Sequence, residues 1–355
     1  MVLPSLLASP SATTNSPTSR MRRGTGRGNV ILPPSRPPVL LQIMESTILA
    51  GTVAEAAPKR VFPYSKSKRE ASLQQSAEAL YRFWAPLLQE VYDNLGQDTK
   101  DRRAVVLVPD ATLEQDYIQT KSKECILRVL LDVIGVPSVH LQPALQFLPF
   151  AFPMLSTLTV VHLSETAACT FVHSKDQSLP YTFQSVPLEE ESDDISIEWN
   201  PALQRQYLDA SYPHSVLVAL LKTMEDCPLP IRGEAIRNLV FAGEGVLYRP
   251  DLPLRVTKRL KQILQQGKLP DEEQDGTLEQ ETTTTGPYPA VLGMVPVDLP
   301  NLKALAPSVG LIDTTATVGP YRADLLVWIG ATLWASHSHQ HNPDAFSWIS
   351  NNDEE

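Results

Sequence analysis

The residues best suited to chemistry are scattered through this sequence. His337, His339 and His341 are two positions apart, a spacing that aligns along a strand and scatters around a helix. With no cysteine or carboxylate partner evident, a solvated helix end is expected there, not a metal site. Cys125, Cys169 and Cys227 are far apart, odd in number and form no CxxC. That pattern argues against a disulfide scaffold and a cysteine zinc site, and points to a reducing compartment. The strand-like run 238–242 leads into Gly243-Glu-Gly245, the composition of a tight strand-to-helix turn. Gln142 follows a strand-like run at 137–141, where a polar residue suits a helix start. No GxGxxG, P-loop lysine or GxSxG is present, so an ordinary cytosolic α/β enzyme has no motif behind it.

Such residues need elements to hold them, and the composition supplies enough. At 355 residues the chain is long for one core and comfortable for two lobes, and 43% apolar content excludes wholesale disorder. Asp and Glu outnumber Lys and Arg 40 to 30, which argues against a nucleic-acid binder relying on cationic contacts to phosphate. No apolar run reaches the roughly 18–20 residues that span a bilayer, so a soluble intracellular chain without membrane insertion is expected. Residues 1–38 hold seven prolines and five arginines and no acid, which leaves the remainder at −15. Such a segment fits a transit peptide, a disordered tail or an over-extended start upstream of Met21.

Beyond Pro38, strands are expected at 39–43, 104–108 and 137–141, then at 157–163, 168–173, 181–186, 238–242 and 308–312. Helices are expected over 70–95 with Pro86 as a break, over 113–134, from Gln142, and over 213–226, 252–266 and 327–337, with a last short one at 343–350. The run Glu189–Asp194 reads as a solvated acidic loop, or a face for a basic partner, and 267–287 as a flexible insert. Alternating strands and helices imply an α/β fold with mainly parallel pairing.

Four segments, in order, resemble the actin superfamily. Leu49-Ala-Gly51 with Ala57–Pro63 is similar to the stretch after actin's first phosphate hairpin, and Val136–Leu145 to the strand and helix carrying its water-positioning glutamine, Gln142. Asn238–Tyr248 resembles the adenosine loop, and Val327–Ala335 with Trp348–Ser350 the C-terminal helices. The resemblance implies an actin-like, two-lobed α/β fold (actin/Hsp70/sugar-kinase type) with a reduced outer subdomain around 187–212. Its expected divisions are a basic tail at 1–38, a first lobe at 39–160, a second lobe at 161–326 containing the insert 267–287, and helices at 327–355 returning to the first lobe. Asp101–Leu107, Val136–Val139 and Asp226–Ile231 narrow the resemblance to the divergent actin-related proteins at the pointed end of dynactin.

Actin-type ATPases grip phosphate with two glycine-containing hairpins whose amides face the phosphates, while nearby aspartates hold water around Mg²⁺. The resemblance places the first hairpin on Gln42–Ser46. Gln42 then stands for the aspartate, Met44 for the glycine, Glu45 for the phosphate-binding serine, and Leu49 for the lysine. The second falls on His162–Thr166, with Ser164 and Thr166 replacing glycines and only an inner acid retained, as Glu165. Gln142 matches the water-positioning residue, but its histidine helper falls on Cys169. In the adenosine loop Gly243, Gly245 and Tyr248 remain, Glu244 replaces a glycine, and Asp324 stands where the family has a lysine.

The implied site is a vestigial nucleotide cleft of Gln142, Glu165, Gly243, Gly245 and Tyr248, with no catalytic or metal-binding set and no required cofactor beyond residual ATP or ADP. The implied function is a non-catalytic subunit of the cytoplasmic cytoskeleton. It would cap the pointed end of dynactin's actin-like filament and contact other pointed-end subunits. The alternative is an ATP-binding actin-related protein of a nuclear chromatin-remodelling complex, in which other residues would have to rescue the hairpins.

Overall fold

The computed structural model describes residues 36–53, 55–109, 116–175, 177–188, 199–266, 299–314, 322–341 and 346–350. Most of the basic tail, the acidic run 189–194 and the insert 267–287 lie outside the described residues. Pro37 opens the compact unit, close to the composition change at Pro38.

The strands are β1 (Val39–Ile43), β2 (Thr47–Thr52), β3 (Arg60–Pro63), β4 (Ala104–Val108), β5 (Val139–Pro143), β6 (Thr157–Leu163), β7 (Ala167–Ser174), β8 (Gln177–Ser178), β9 (Gln184–Pro187) and β10 (Leu239–Ala242). The helices are α1 (Lys66–Gln75), α2 (Ala77–Leu95), α3 (Asp116–Arg128), α4 (Pro201–Leu208), α5 (Val216–Asp226), α6 (Leu229–Arg237), α7 (Glu244–Tyr248), α8 (Leu252–Gln266), α9 (Leu299–Leu302) and α10 (Leu326–His341). The expected 70–95 helix is divided at Ser76, whose Oγ accepts the Ala79 N–H at 3.1 Å and caps α2. Pro86 does not break α2, because it lies on the exposed face, where the carbonyl it leaves unpaired meets water.

Two mixed five-stranded sheets result. The first runs β3-β2-β1-β4-β5, with β1, β2 and β3 antiparallel and β4 and β5 parallel to β1. In the second, β6 pairs antiparallel with β7, β7 antiparallel with β9, and β10 parallel with β6. Leu311 then bridges Leu239 of β10 in parallel. The second sheet thus repeats the order of the first, with a single bridge in place of a fifth parallel strand. The pairing is mixed, not mainly parallel, since three-residue turns such as 44–46 and 164–166 can join only antiparallel neighbours. The strand expected at 308–312 is reduced to that bridge.

Strand alternation divides the apolar residues among three layers. Val39, Leu41, Val106 and Val108 face α2 and α3, together with Trp84 and Leu88. Val161, Leu163, Leu239 and Phe241 face α5, α6 and α8. The remaining faces share one central layer: Leu40, Val105 and Leu107 from the first sheet, Leu158, Val160 and Val240 from the second. Between them lie the 3₁₀ turn 145–151 and the first part of α10. β6 begins at Thr157, so the second sheet takes its first residues from the segment expected in the first lobe. α10 is tied to the far end of β2: Trp328 Nε1 donates to the Glu55 carbonyl at 3.3 Å and Ser336 Oγ to that of Val53 at 3.2 Å.

Residues 346–350 are extended, not helical. Val139 and Ile349 exchange both backbone hydrogen bonds at 2.9 Å, adding a strand-like segment to the β5 edge. The aromatic rings select this conformation. Phe346 and Trp348 close with Trp334 around the ring of His140, at centroid distances of 5.2, 5.9 and 5.6 Å. His337 is exposed on α10, and among the described residues no group of His, Cys, Asp or Glu is placed to hold a metal.

Gly330 is where α10 lies directly on the 3₁₀ turn, and a Cβ there would fall on the backbone oxygen of Phe147. Gly330→Ala is expected to lose about 1–3 kcal/mol. Gly233→Ala, in α6 with open space around it, should be neutral or stabilising by up to about 1 kcal/mol. Urea midpoints of the two variants measure the difference, and equal midpoints would contradict the packing described.

Candidate functional site

At one end of the central layer the β1–β2 and β6–β7 hairpins face each other. In the first tip Met44 N–H donates to Thr47 O at 2.8 Å. Tyr64 holds this tip from behind: its hydroxyl donates to Met44 O, and its N–H to Ser46 O at 2.7 Å. Burial pushes that phenol up to about 12, so it remains a donor. In the second tip Ser164 Oγ accepts the N–H groups of Thr166 and Ala167 at 3.4 and 3.1 Å. Amides that could have faced an anion are therefore engaged by the hairpin's own side chain.

The tips are bonded to one another reciprocally. Ser46 Oγ donates to Glu165 Oε1 at 2.6 Å, and Thr166 Oγ1 donates to Glu45 Oε1 at 2.7 Å. Each hairpin supplies one carboxylate and one hydroxyl. Lys66 Nζ, from the first turn of α1, lies 3.6 Å from Glu45 Oε2. The signal for this arrangement is in the sequence: Glu45-Ser46 and Glu165-Thr166 are the same acid–hydroxyl pair at matching tips. Reading each tip against a phosphate-binding pattern, one at a time, missed it.

β10 delivers a third group. Gly243 turns the chain with φ near 98°, a conformation that favours glycine, and a Cβ there would fall on Leu163 O. Gly245 is also close, its hypothetical Cβ only 2.9 Å from that of Leu163. The turn sets Glu244 on the wall of the same gap as Glu45, Ser164 and Thr166. Burial and the nearby Glu165, Glu45 and Asp324 push its carboxyl up to about 7. Asp324 is gripped by Arg322 through two bonds of 3.0 and 2.6 Å. His162, on the inner face of β6, is driven by burial down to about 4, despite the opposing effect of Glu45. It is neutral at pH 7 and adds no cation to the cleft.

Of the residues expected to form a nucleotide cleft, Glu165, Gly245 and Tyr248 line one recess of about 150 Å³ with Ser164, Tyr207 and Arg249. Tyr248 is 64% exposed. Gly243 is not part of that lining; it precedes α7, which carries Gly245 and Tyr248. Gln142 is elsewhere: it lies within β5 as a strand residue, not a helix start, and its Oε1 accepts from Gln146 Nε2 at 2.8 Å. It shares a register with Leu107 and, through it, with Gln42, two strands or about 10 Å away. On the other side of the hairpin bonds a cavity of about 1420 Å³ opens between the lobes, lined by Gln42, His162, Glu244, Lys123 and Lys222 among others.

Removing one cross-hairpin bond with Ser46→Ala or Thr166→Val is expected to cost about 1–2 kcal/mol each, as for a hydrogen bond to a charged group that is part-buried. A double-mutant cycle should show coupling on the order of 0.5–1 kcal/mol, because both bonds close one gap. A pH series checks the titrating pair. Glu244 is raised from 4.5 to about 7, so its contribution to stability declines as pH rises across that window. His162 is lowered from 6.5 to about 4, so its contribution is full above 6.5 and lost as pH falls toward 4. The two oppose each other in the parent. Glu244→Gln should raise the urea midpoint at pH 8 and expose a steeper loss below pH 6.5; an unchanged profile would contradict both assignments.

No family model matches this chain, and no curated protein is significantly similar to it.

Proposed function

We propose that this chain is a non-catalytic structural subunit of the actin superfamily. It would be an end cap of the kind found at the pointed end of dynactin (actin-related protein 10 in fungi), serving dynein-driven transport. The observation that carries this reading is the reciprocal bonding of the hairpin tips. An actin-type ATPase closes that gap with phosphate. Here Glu45 and Glu165 accept the opposite hydroxyls, so the space and the donors are engaged. A carboxylate at each tip also repels phosphate.

The repeated strand order of the two sheets supports the two-lobed, actin-like part of the reading. So do the short excursions from them. β3 joins α1 through Tyr64 and Ser65 alone, and between β9 and α5 the described residues contain a single short helix, α4. A filament end needs less outward surface than a filament interior. A cap also works by complementary shape, with no turnover required. Among the described residues no helix is long and apolar enough to cross a membrane.

Affinity capture of the tagged chain from cells is expected to bring down dynactin's filament and pointed-end subunits. Recovery of chromatin-remodelling subunits would favour the nuclear alternative, and recovery of neither would overturn the cap. Calorimetry with Mg·ATP, on the chain held in its native complex, should show no binding in the micromolar range. Micromolar affinity, about −8 kcal/mol, would remove the basis for a closed, non-catalytic cleft.

A further inference from the structure

We propose that the outward face of α8 is a docking surface for an extended, acidic segment of another protein. It lies on the helical layer outside the second sheet. The inference is independent of what the protein caps.

The charges of this region are divided unevenly. α8 carries Arg255, Lys258, Arg259 and Lys261 and no acid. α4 and the 3₁₀ turn Lys303–Ser308 both pack against it. They add Arg205 and Lys303, again with no acid in either. α8 and these two neighbours are thus wholly cationic, in a chain whose formal net charge is −10. α5 also touches α8 and carries Lys222, Glu225 and Asp226; Asp226 accepts from Gln184 Nε2 at 3.0 Å. Asp251, just before α8, is taken by Arg255 and by Trp199 Nε1. Among the described residues no acid pairs with Lys258, Arg259, Lys261 or Lys303.

The apolar side of α8 is spent on the core, where Leu252, Val256, Leu260, Ile263 and Leu264 are buried. Helical spacing then puts Leu254, Lys258, Lys261 and Gln265, all exposed, on one outward stripe about 17 Å long. Leu254 is 65% exposed, so the stripe offers an apolar contact beside its charges. An extended chain rises about 3.3 Å per residue, so roughly five residues cover it. The net charge decides the class of partner. An anionic membrane or a nucleic-acid duplex presents a broad phosphate surface, which would also face the acids that make the chain negative. A single acidic strand meets the cationic stripe alone, within a Debye length of about 8–10 Å.

Fluorescence anisotropy of a labelled dodecaglutamate peptide, titrated with the full chain at pH 7, tests the surface. Saturable binding is expected at about 50 mM salt, weakening on the order of tenfold by about 300 mM. Lys258→Glu with Lys261→Glu should weaken it by about tenfold or more. Lys59→Glu with Lys68→Glu makes the same change in net charge, just before β3 and on α1, and should leave affinity within about twofold. All four side chains are exposed, so both double variants keep the fold. No saturable binding by the parent overturns the proposal, as does an equal loss in the two double variants. Binding of phosphatidylserine vesicles without binding of the peptide also overturns it, in favour of a lipid surface. The chain has six acids of its own in 271–281. If it binds the peptide only after those six become amides, the face belongs to the chain's own acids and the partner reading falls.

Discussion

The distance between the two hairpin tips is set elsewhere, in the apolar layer that both sheets share. α10 sits on the 3₁₀ turn 145–151 at Gly330, with no side chain between the two backbones. That approach brings the inner faces of β1 and β6 to a common core and fixes what their ends can reach. Gln42 and His162 project from those inner faces toward the same gap, and the tips beyond them come within hydrogen-bonding range. A bulkier contact at Gly330 would alter the spacing of groups at the far end of the layer. The polar bonding of the tips is thus a consequence of nonpolar packing.

The electrostatics of the gap follow from what fills it. A bridging anion from outside would call for amides and cations around it. Instead the anions are covalently part of the tips, and hydroxyls do the donating. Carboxylates need fewer compensating charges than a triphosphate, and here they receive fewer: Lys66 for Glu45 and Arg322 for Asp324. Burial and the neighbouring acids push the Glu244 carboxyl up to about 7. A histidine on the inner face could have offset the charge, but enclosure keeps His162 neutral.

Much of the scaffold was legible in the sequence, because buried strands and amphipathic helices announce themselves by composition and period. Ala104–Val108 is apolar throughout and buried on both faces, and Leu252–Gln266 shows one clean apolar stripe. Pairing direction was not legible, since an apolar run such as β6 looks the same beside a parallel or an antiparallel neighbour. The segment 308–312 carries Val309, Leu311 and Ile312, yet only Leu311 bridges; proximity to β10 decides that, not propensity. The tight strand-to-helix turn at Gly243 and Gly245 was legible, and the close approach to Leu163 is its reason. Gln142 was misjudged because its neighbours at 145–151 form a 3₁₀ turn that leaves it on the strand. The reciprocal tip bonds escaped because they depend on two dipeptides about 120 residues apart, which have meaning only once the lobes meet.

The strand-like segment 346–350 has a consequence for biosynthesis. It covers the outer edge of β5, a row of amides and carbonyls that would otherwise be open to pairing with another chain. The ribosome makes these residues about 300 positions after β1, so the first sheet is finished late although it is begun first. Throughout most of translation the nascent chain carries an unprotected edge beside a buried-type strand, a template for misassociation. The second sheet, complete once Leu311 is made, has no such wait. The vulnerable interval therefore belongs to the older half of the chain, and a chaperone that shields nascent strand edges would act there.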